Sequence, residues 1–162
     1  MARGNLGYSE ARTDELAAWA MNLLGIANIE RRAPLDLERS WRKRVAVASV
    51  VAMDTPHVVL DEPTGGQDEP GVAALGRAVE DLRRKGKLVL LITHDIEFAV
   101  SHADRVIALY DGRILLDGDP ESVFWQFEQL AQTYVTPPVA AQIAKRLGLD
   151  RVISVSELVE RV

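Results

Sequence analysis

The pattern of apolar and polar residues along the chain predicts helices and strands in alternation. Apolar side chains recur at helical spacing in three segments, whereas two short runs between and after them are mostly apolar. Glycine or proline residues follow or interrupt most of these segments, which indicates discrete elements. The predicted helices cover about residues 10–24, 40–53 and 70–84, and Ser9 is the predicted N-cap of the first. The predicted strands cover 57–60 and 87–93, and residues 26–39 are predicted to be irregular.

The segment from residue 57 to residue 93 reads as strand, helix and strand, which is typical of a βαβ unit. Its two strands are then parallel, joined by a right-handed crossover, and their apolar character favours a sheet covered on both faces. The carboxyl ends of parallel strands lie at one edge of the sheet. Asp61, Glu62 and His94 are therefore predicted to converge where open α/β sheets bind ligands.

The remaining sequence predicts smaller elements. Asp111-Gly112 is a strong hairpin signal between two short apolar strands, and Thr136-Pro137-Pro138 resembles a linker. The fold class is therefore α/β, with a parallel core, a hairpin and several short helices. These elements are a helix at 96–102, strands at 105–109 and 113–116, and helices near 121–132, 139–147 and 156–161.

Composition narrows the class of protein. The 162 residues can form one domain with a core, and the net charge of −5 weighs against a nucleic-acid partner, which normally requires a basic surface. Without cysteine, neither a disulfide nor a thiolate metal site can form. No apolar run approaches the roughly 20 residues that span a bilayer, so any membrane association is predicted to be peripheral.

Two carboxylates end the first predicted strand and carry the strongest chemical signal. In Val58-Val59-Leu60-Asp61-Glu62, an apolar strand delivers both acids to the sheet edge. Burying such a pair is costly unless a cation compensates, and Mg²⁺ on nucleotide phosphates suits the site. Asp61 would hold the metal and Glu62 would take a proton from an attacking water. The alternative is that both acids end a strand and face solvent.

Three segments of the chain resemble motifs of ATP-binding-cassette (ABC) ATPases, in the family's order and spacing. Residues 60–64, Leu-Asp-Glu-Pro-Thr, resemble the Walker B strand, and residues 65–68, Gly-Gly-Gln-Asp, resemble the D-loop. Residues 93–95, Thr-His-Asp, resemble the switch-histidine loop. The resemblance implies part of a P-loop NTPase fold over about residues 3–130.

The resemblance also implies roles for single residues. Asp61 would bind Mg²⁺ through water, Glu62 would be the general base, and His94 would contact the γ-phosphate of ATP. Asp68, with Gln67 beside it, would communicate with a second ABC ATPase subunit across a dimer interface. His57 and His102 lack such a context and are interpreted as structural.

The phosphate-binding loop Gly-x₄-Gly-Lys-Ser/Thr of this family does not occur in the 162 residues. Residues 1–8 resemble the stretch after the family's glutamine loop. The chain is therefore expected to be the C-terminal part of such an ATPase and to be inactive alone. The missing strands are expected to leave an apolar edge and face of the sheet exposed. Residues 1–53 correspond to the helical and signature region, 54–132 to the second half of the catalytic core, and 133–162 to a small C-terminal extension.

The family's signature loop, Leu-Ser-Gly-Gly-Gln, is altered in this sequence. Aligning the basic helix that follows it puts Glu38 in place of the serine. A carboxylate there would repel phosphate, and loss of the glycines would restrict backbone approach, so a weak or non-hydrolytic site is expected. The alternative is that Ser40 is only a helix N-cap and Arg42–Arg44 a solvated basic face. The altered loop consists of Leu37, Glu38, Arg39, Ser40 and Trp41.

Softer features resemble energy-coupling-factor transporters, which import vitamins or metal ions: Asn5-Leu6-Gly7, residues 48–54, Asp111-Gly112-Arg113, residues 120–124 and the tail. This resemblance implies ATP and Mg²⁺ as cofactors, a second ABC ATPase subunit and a transmembrane subunit as partners, and a peripheral position on the cytoplasmic face of the plasma membrane. Two alternatives stay open. One is a non-catalytic module that docks on transporter subunits, and the other is a soluble ABC ATPase outside transport.

Overall fold

The chain forms two compact units, the first ending at Thr93 and the second beginning at His94. A computed structural model describes residues 7–162. Asn5 and Leu6, which contribute to the resemblance at the start of the chain, lie outside the described residues. Each unit is described by itself below.

The first unit begins with two helices, α1 (Glu10–Leu23) and α2 (Arg39–Val51). Ser9 caps α1 as predicted, because its hydroxyl accepts a hydrogen bond from the Arg12 amide at 3.3 Å. Short 3₁₀ turns at Ala27–Ile29 and Pro34–Asp36 occupy the stretch predicted to be irregular.

The start of α2 contradicts the interpretation of Ser40 as a helix N-cap. Glu38, in extended conformation, is the N-cap, and its carbonyl accepts from the Arg42 amide at 3.0 Å. Ser40 therefore lies inside the first turn, and its interpretation as an N-cap is wrong. The extended backbone needed at a cap falls two residues earlier, after the turn that Pro34 begins.

The predicted βαβ unit is present as β1 (His57–Asp61), α3 (Glu69–Arg84) and β2 (Leu88–Ile92). The strands are parallel, with Val59 opposite Leu90 and Asp61 opposite Ile92. Buried side chains of α3, including Leu75, Val79 and Leu82, share the covered side with Val58 and Leu60 of β1. The parallel arrangement confirms the α/β fold class.

The opposite face of this sheet is exposed, which confirms the expectation of an uncovered apolar face. Cover on both faces, which the strand pattern alone favoured, is wrong for residues 7–162. Val59 retains 56% of its accessible surface and Leu90 retains 47%. The side chains of a strand point alternately to its two faces, and helices of the described chain cover one of them. We call the exposed set Val59, Leu88, Leu90 and Ile92 the bare sheet face.

The second unit contains α4 (Ile96–His102) and an antiparallel hairpin of β3 (Val106–Tyr110) and β4 (Arg113–Gly118). Asp111 and Gly112 both have positive φ, the conformation that two-residue hairpin turns favour. The later helices are α5 (Pro120–Phe124), α6 (Phe127–Leu130), α7 (Val139–Arg146) and α8 (Val155–Arg161).

The single helix predicted near residues 121–132 is wrong, because the backbone leaves the helical conformation at Gln126 (ψ 63°). This break lets Phe124 and Leu130 enter the same buried cluster. Trp125 and Phe127 then meet edge to face, with ring centroids 5.5 Å apart.

None of the helices within residues 7–162 combines the length and apolar character that crossing a bilayer requires.

Candidate functional site

The candidate site lies at the carboxyl end of β1. Asp61 is the last residue of the strand and is exposed, on the same side of the sheet as Val59. Its carboxylate has no hydrogen-bond or ion-pair partner within residues 7–162. A solvent-facing carboxylate of this kind has the oxygen donors that Mg²⁺ prefers and room for its water ligands.

Glu62 leaves the strand through an unusual backbone conformation. Its φ is 45°, in the left-handed region that residues with a Cβ rarely adopt. Its amide still belongs to the sheet, since it donates to the carbonyl of Ile92 at 2.7 Å. Glu62 therefore has a left-handed backbone conformation, whereas Asp61, the residue before it, has the extended backbone of a strand.

A tight turn connects Glu62 to α3. The Gly65 amide donates to the Glu62 carbonyl at 3.3 Å, and the Gln67 amide donates to the Thr64 carbonyl at 3.0 Å. Position 66 requires glycine, because its φ of 72° is unfavourable for a residue that has a side chain. We call residues 62–68 the exit loop.

Three basic residues of α2 contact the exit loop. Lys43 Nζ donates to the carbonyls of Glu62 and Gly65, the latter at 2.8 Å. Arg39 lies over Gly66, where an added Cβ would be 3.4 Å from its Nε. These contacts join the helix that carries the altered signature loop to the loop that carries the predicted general base.

Arg44 makes the third contact, and it is buried, with 4% of its surface exposed. Its guanidinium lies 4.1 Å from the centroid of the Trp41 ring and donates to Asp68 at 3.3 Å. Arg44 is therefore not part of a solvated basic face, and that interpretation of Arg42–Arg44 is wrong. Only Arg42 of the three is exposed, because Lys43 and Arg44 face the exit loop.

Asp68 and Gln67 fold back toward the start of α3. Asp68 occupies the N-cap position, but its side chain accepts from Arg44 rather than from the helix amides. Gly71 leaves space for this arrangement, since an added Cβ would lie 2.7 Å from Asp68 Oδ1. The Oε1 atom of Gln67 is buried without a hydrogen-bond partner in the described chain.

His94 and the altered signature loop complete the predicted set. β2 ends at Ile92, two residues before His94, which is the first residue of the second unit. The meeting of His94 with Asp61 and Glu62 stays a prediction. In the loop, Leu37 is buried and Glu38 caps α2, while Arg39, Ser40 and Trp41 form its first turn.

A second feature of the first unit is a groove of about 290 Å³ between α1, the 3₁₀ turns and α2. Its lining is mostly apolar. The groove could not be predicted from the sequence, because its lining comes from separate segments of the chain. The lining includes Leu16, Met21, Ile29, Leu37, Ala48 and Met53.

The described residues contain no cluster of three or more His, Asp or Glu side chains that could hold a metal ion by itself. A metal at Asp61 therefore needs ligands from another source, such as the phosphates of a nucleotide and water. This is compatible with a metal delivered as its nucleotide complex.

Comparison with known proteins identifies relatives along nearly the whole chain. A protein of Pyrococcus furiosus named as an ABC transporter ATP-binding protein is 37% identical over 159 residues, covering 98% of this chain and 60% of that protein. The energy-coupling factor transporter ATP-binding protein EcfA of Methanocaldococcus jannaschii is 33% identical, covering 89% of this chain and 52% of that protein. The chain thus spans less than two thirds of these relatives.

A solved structure gives the same result. CbiO1 of Clostridium perfringens, described as part of the ABC transporter complex CbiONQ, superposes with a TM-score of 0.66 and 28% identity. The match covers 89% of this chain and 54% of that chain. No protein-family profile matches the sequence.

Proposed function

Because this chain belongs to the ABC ATPases, we propose that it serves in the ATP-binding subunit of a membrane transporter of the energy-coupling-factor type. In this role ATP hydrolysis drives solute import. The relatives named as energy-coupling-factor ATPases and the likeness to CbiO1 support this subfamily over a soluble ABC ATPase outside transport.

The arrangement of Asp61 and Glu62 carries the proposal. Asp61 ends a parallel strand as an exposed carboxylate, and Glu62 follows it in a left-handed turn at the same sheet edge. Adjacent acids with different backbone geometry can take different roles, one as a ligand and the other as a base. This division of roles is what metal-assisted phosphoryl transfer needs.

Asp61 would hold Mg²⁺ through water, and the metal would neutralise charge on the phosphates of ATP. Glu62 would accept a proton from the attacking water, and His94 would contact the γ-phosphate. Gln67 and Asp68 would face a second ABC ATPase subunit. Binding the triphosphate also requires a phosphate-binding loop, which the 162 residues do not contain.

The altered signature loop favours a weak or non-hydrolytic role for this segment. Glu38 brings a carboxylate to the N-terminus of α2, where an anion would otherwise bind. Arg39 replaces a glycine of the family pattern, and its side chain lies over Gly66. Both features reduce access for a phosphate group at this helix end.

The proposed partners are a second ABC ATPase subunit and a transmembrane transporter subunit. The proposed location is the cytoplasmic face of the plasma membrane, as a peripheral protein. EcfA is an ATP-binding protein of a transporter and CbiO1 is part of a transporter complex, and the likeness to both supports partners of this kind.

A second candidate function is a non-catalytic module that docks on transporter subunits. The bare sheet face and the apolar groove favour it, because exposed apolar surface of this kind marks interaction sites. The two candidates differ in one respect that can be measured, namely whether Glu62 is required for ATP turnover.

The test combines this chain with a polypeptide that supplies the unmatched 40% of the Pyrococcus furiosus relative. We expect no ATP turnover by the chain alone and measurable turnover by the mixture. Glu62→Gln should lower that turnover by about 100-fold or more, since a general base contributes about 10²–10⁴-fold. Glu69→Gln, which changes an exposed acid in the first turn of α3, is the matched control and should have no effect.

Two outcomes would contradict the proposal. The first is robust turnover by the chain alone that Glu62→Gln leaves unchanged, which would assign the activity to another site or to a contaminant. The second is an assembled mixture that binds MgATP with equal affinity whether or not Asp61 is replaced by asparagine, and that turns over at the same rate with Glu62→Gln.

A further inference from the structure

Lys43 contacts the backbone of the predicted general base rather than its side chain. Its Nζ donates to the carbonyl oxygens of Glu62 and Gly65, which lie at the two ends of one tight turn. The Gly65 amide closes the same turn on the Glu62 carbonyl at 3.3 Å. One ammonium group therefore holds two peptide groups of the exit loop.

This contact coincides with the strained point of the loop. Glu62 has a φ of 45°, which is unfavourable for a residue with a Cβ and persists only where surrounding contacts support it. Hydrogen bonds from a charged donor are stronger than those between neutral groups, so Lys43 can supply this support. The conformation of Glu62 in turn fixes the direction of its Cα–Cβ bond.

Lys43 makes this contact, and the basic residues next to it in α2 do not. Arg42 is exposed, Arg44 is engaged with Asp68, and neither is seen to contact the Glu62 carbonyl. Gly65 leaves room for the ammonium group, since an added Cβ would lie 3.4 Å from Nζ and 3.5 Å from the Glu62 carbonyl oxygen. The approach of Lys43 thus depends on a glycine within the turn that it holds.

We propose that Lys43 is a positioning residue that holds Glu62 in its left-handed conformation and so directs the Glu62 carboxylate at the sheet edge. The importance of that direction for ATP hydrolysis rests on the proposed function. The effect of Lys43 on the backbone does not, and it can be measured without nucleotide.

The experiment compares the isotope-labelled full chain with Lys43→Met, Lys43→Arg and Arg42→Met by NMR. A positive φ gives a strong cross-peak between a residue's own amide and α protons, so Glu62 carries a direct signature. We expect Lys43→Met to lose this signature. The same variant should speed amide exchange at Gly65 and Gln67 by about tenfold, because two hydrogen bonds that hold the loop are lost.

The matched variants make the result specific. Lys43→Arg keeps a charged donor and should retain the Glu62 signature. Arg42→Met removes an adjacent exposed charge and should change neither the Glu62 cross-peak nor the amide exchange rates. Val89 and Leu91 in β2 should respond less than the loop amides in every variant, because they lie outside the exit loop and exchange only when the unit unfolds.

The proposal is overturned if Lys43→Met retains the Glu62 signature and the exchange rates of the loop. It is also overturned if exchange rises equally in the loop and in β2, since Lys43 would then stabilise the unit as a whole. Neither result depends on ATP, so failure here leaves the proposed function untouched, and failure to bind ATP leaves this inference untouched.

Discussion

At each end of β1 a lysine donates hydrogen bonds to two backbone carbonyls, and a non-glycine residue adopts a positive φ. Before the strand, Lys87 Nζ reaches the carbonyls of Asp54 and Thr55 at 2.9 and 2.8 Å, and the φ of Asp54 is 54°. After the strand, Lys43 and Glu62 repeat this arrangement. At both ends, a lysine therefore supports a stretch of backbone that contains an unfavourable positive φ.

The carboxylates at the two ends differ in their partners. Asp54 forms ion pairs with Lys87 at 2.8 Å and with Arg12 at 3.2 Å, so cations of the same unit neutralise it. The hydrogen bond from Lys87 lowers the pKa of Asp54 below its ordinary value, and burial opposes this only in part. Asp61, at the other end, is exposed and has no ion pair in the described chain.

The charged groups before β1 therefore contribute to stability, whereas the carboxylate after β1 belongs to the candidate functional site. Neutralised charge before β1 stabilises the fold and offers little to a ligand. The exposed carboxylate after β1 adds little stability, and in the proposed function it would hold a cation from solution. The following predictions test this division, beginning with the largest expected effect.

Lys87→Met should be the most damaging of these changes. Its side chain is 11% exposed, and its loss removes two hydrogen bonds and leaves Asp54 with one cation. We expect the free energy of unfolding of the first unit to fall by about 2–3 kcal/mol. Urea unfolding followed by the fluorescence of Trp19 and Trp41 measures this change.

Lys43→Met is the matched variant at the other end. It removes hydrogen bonds to backbone carbonyls that are partly buried, and its expected cost is about 1 kcal/mol. Equal losses from the two variants would mean that the ion pair with Asp54 adds no stability, and the comparison between the two ends would fail.

Acid should weaken the end before β1 selectively. Because the pKa of Asp54 is lower in the folded chain than its ordinary value of 3.8, its carboxylate stabilises the fold above that value. This contribution is lost as the pH falls below about 4 and through the folded pKa. The urea midpoint of wild type should therefore approach that of Asp54→Asn between about pH 5 and pH 2.

Asp61→Asn is the control for this pH series. It removes a carboxylate that has no ion-pair partner in the part of the chain that the structure describes, so its urea midpoint should track wild type at each pH. A constant gap between wild type and Asp54→Asn down to pH 2 would contradict the ion pair as the source of acid sensitivity.

Local sequence patterns predicted most of the elements that build this strand and its surroundings. The runs around Val58 and Val89 correctly predicted two strands, and Ser9 a helix start, because each depends mainly on neighbouring residues. The parallel pairing of the strands followed from the helix that connects them. The family motifs on Asp61 and Glu62 were also readable. The bounds of helices and strands mostly differ from the prediction by one or two residues, as fraying ends usually do.

Contacts between distant residues could not be predicted in this way. Lys43 and Glu62 are 19 residues apart, and Arg44 and Asp68 are 24 apart. The sequence therefore indicated either a role at a nucleotide or a solvated basic face for this segment, and no contact with the exit loop. The polypeptide that covers the bare sheet face could not be predicted, for a related reason. An apolar strand shows that its side chains avoid water but does not show which polypeptide covers them.

The smallest expected effect compares two glycines, one before and one after α3. Gly66 in the exit loop has a φ of 72°, and Gly86, in the turn before β2, has a φ of 71°. Alanine at either position is strained, at a cost of about 1–2 kcal/mol. A Cβ at Gly86 would meet nothing within 4 Å, whereas one at Gly66 would lie 3.4 Å from Arg39 Nε.

Gly66→Ala should therefore cost slightly more than Gly86→Ala, by a few tenths of a kcal/mol, because the flexible Arg39 side chain can move aside. In the background of Arg39→Ala the two substitutions should cost the same. This double-mutant comparison isolates the contact between α2 and the exit loop from the shared backbone strain. A difference that persists without Arg39 would place the extra constraint in the backbone of the exit loop, and Arg39 would then have no part in shaping it.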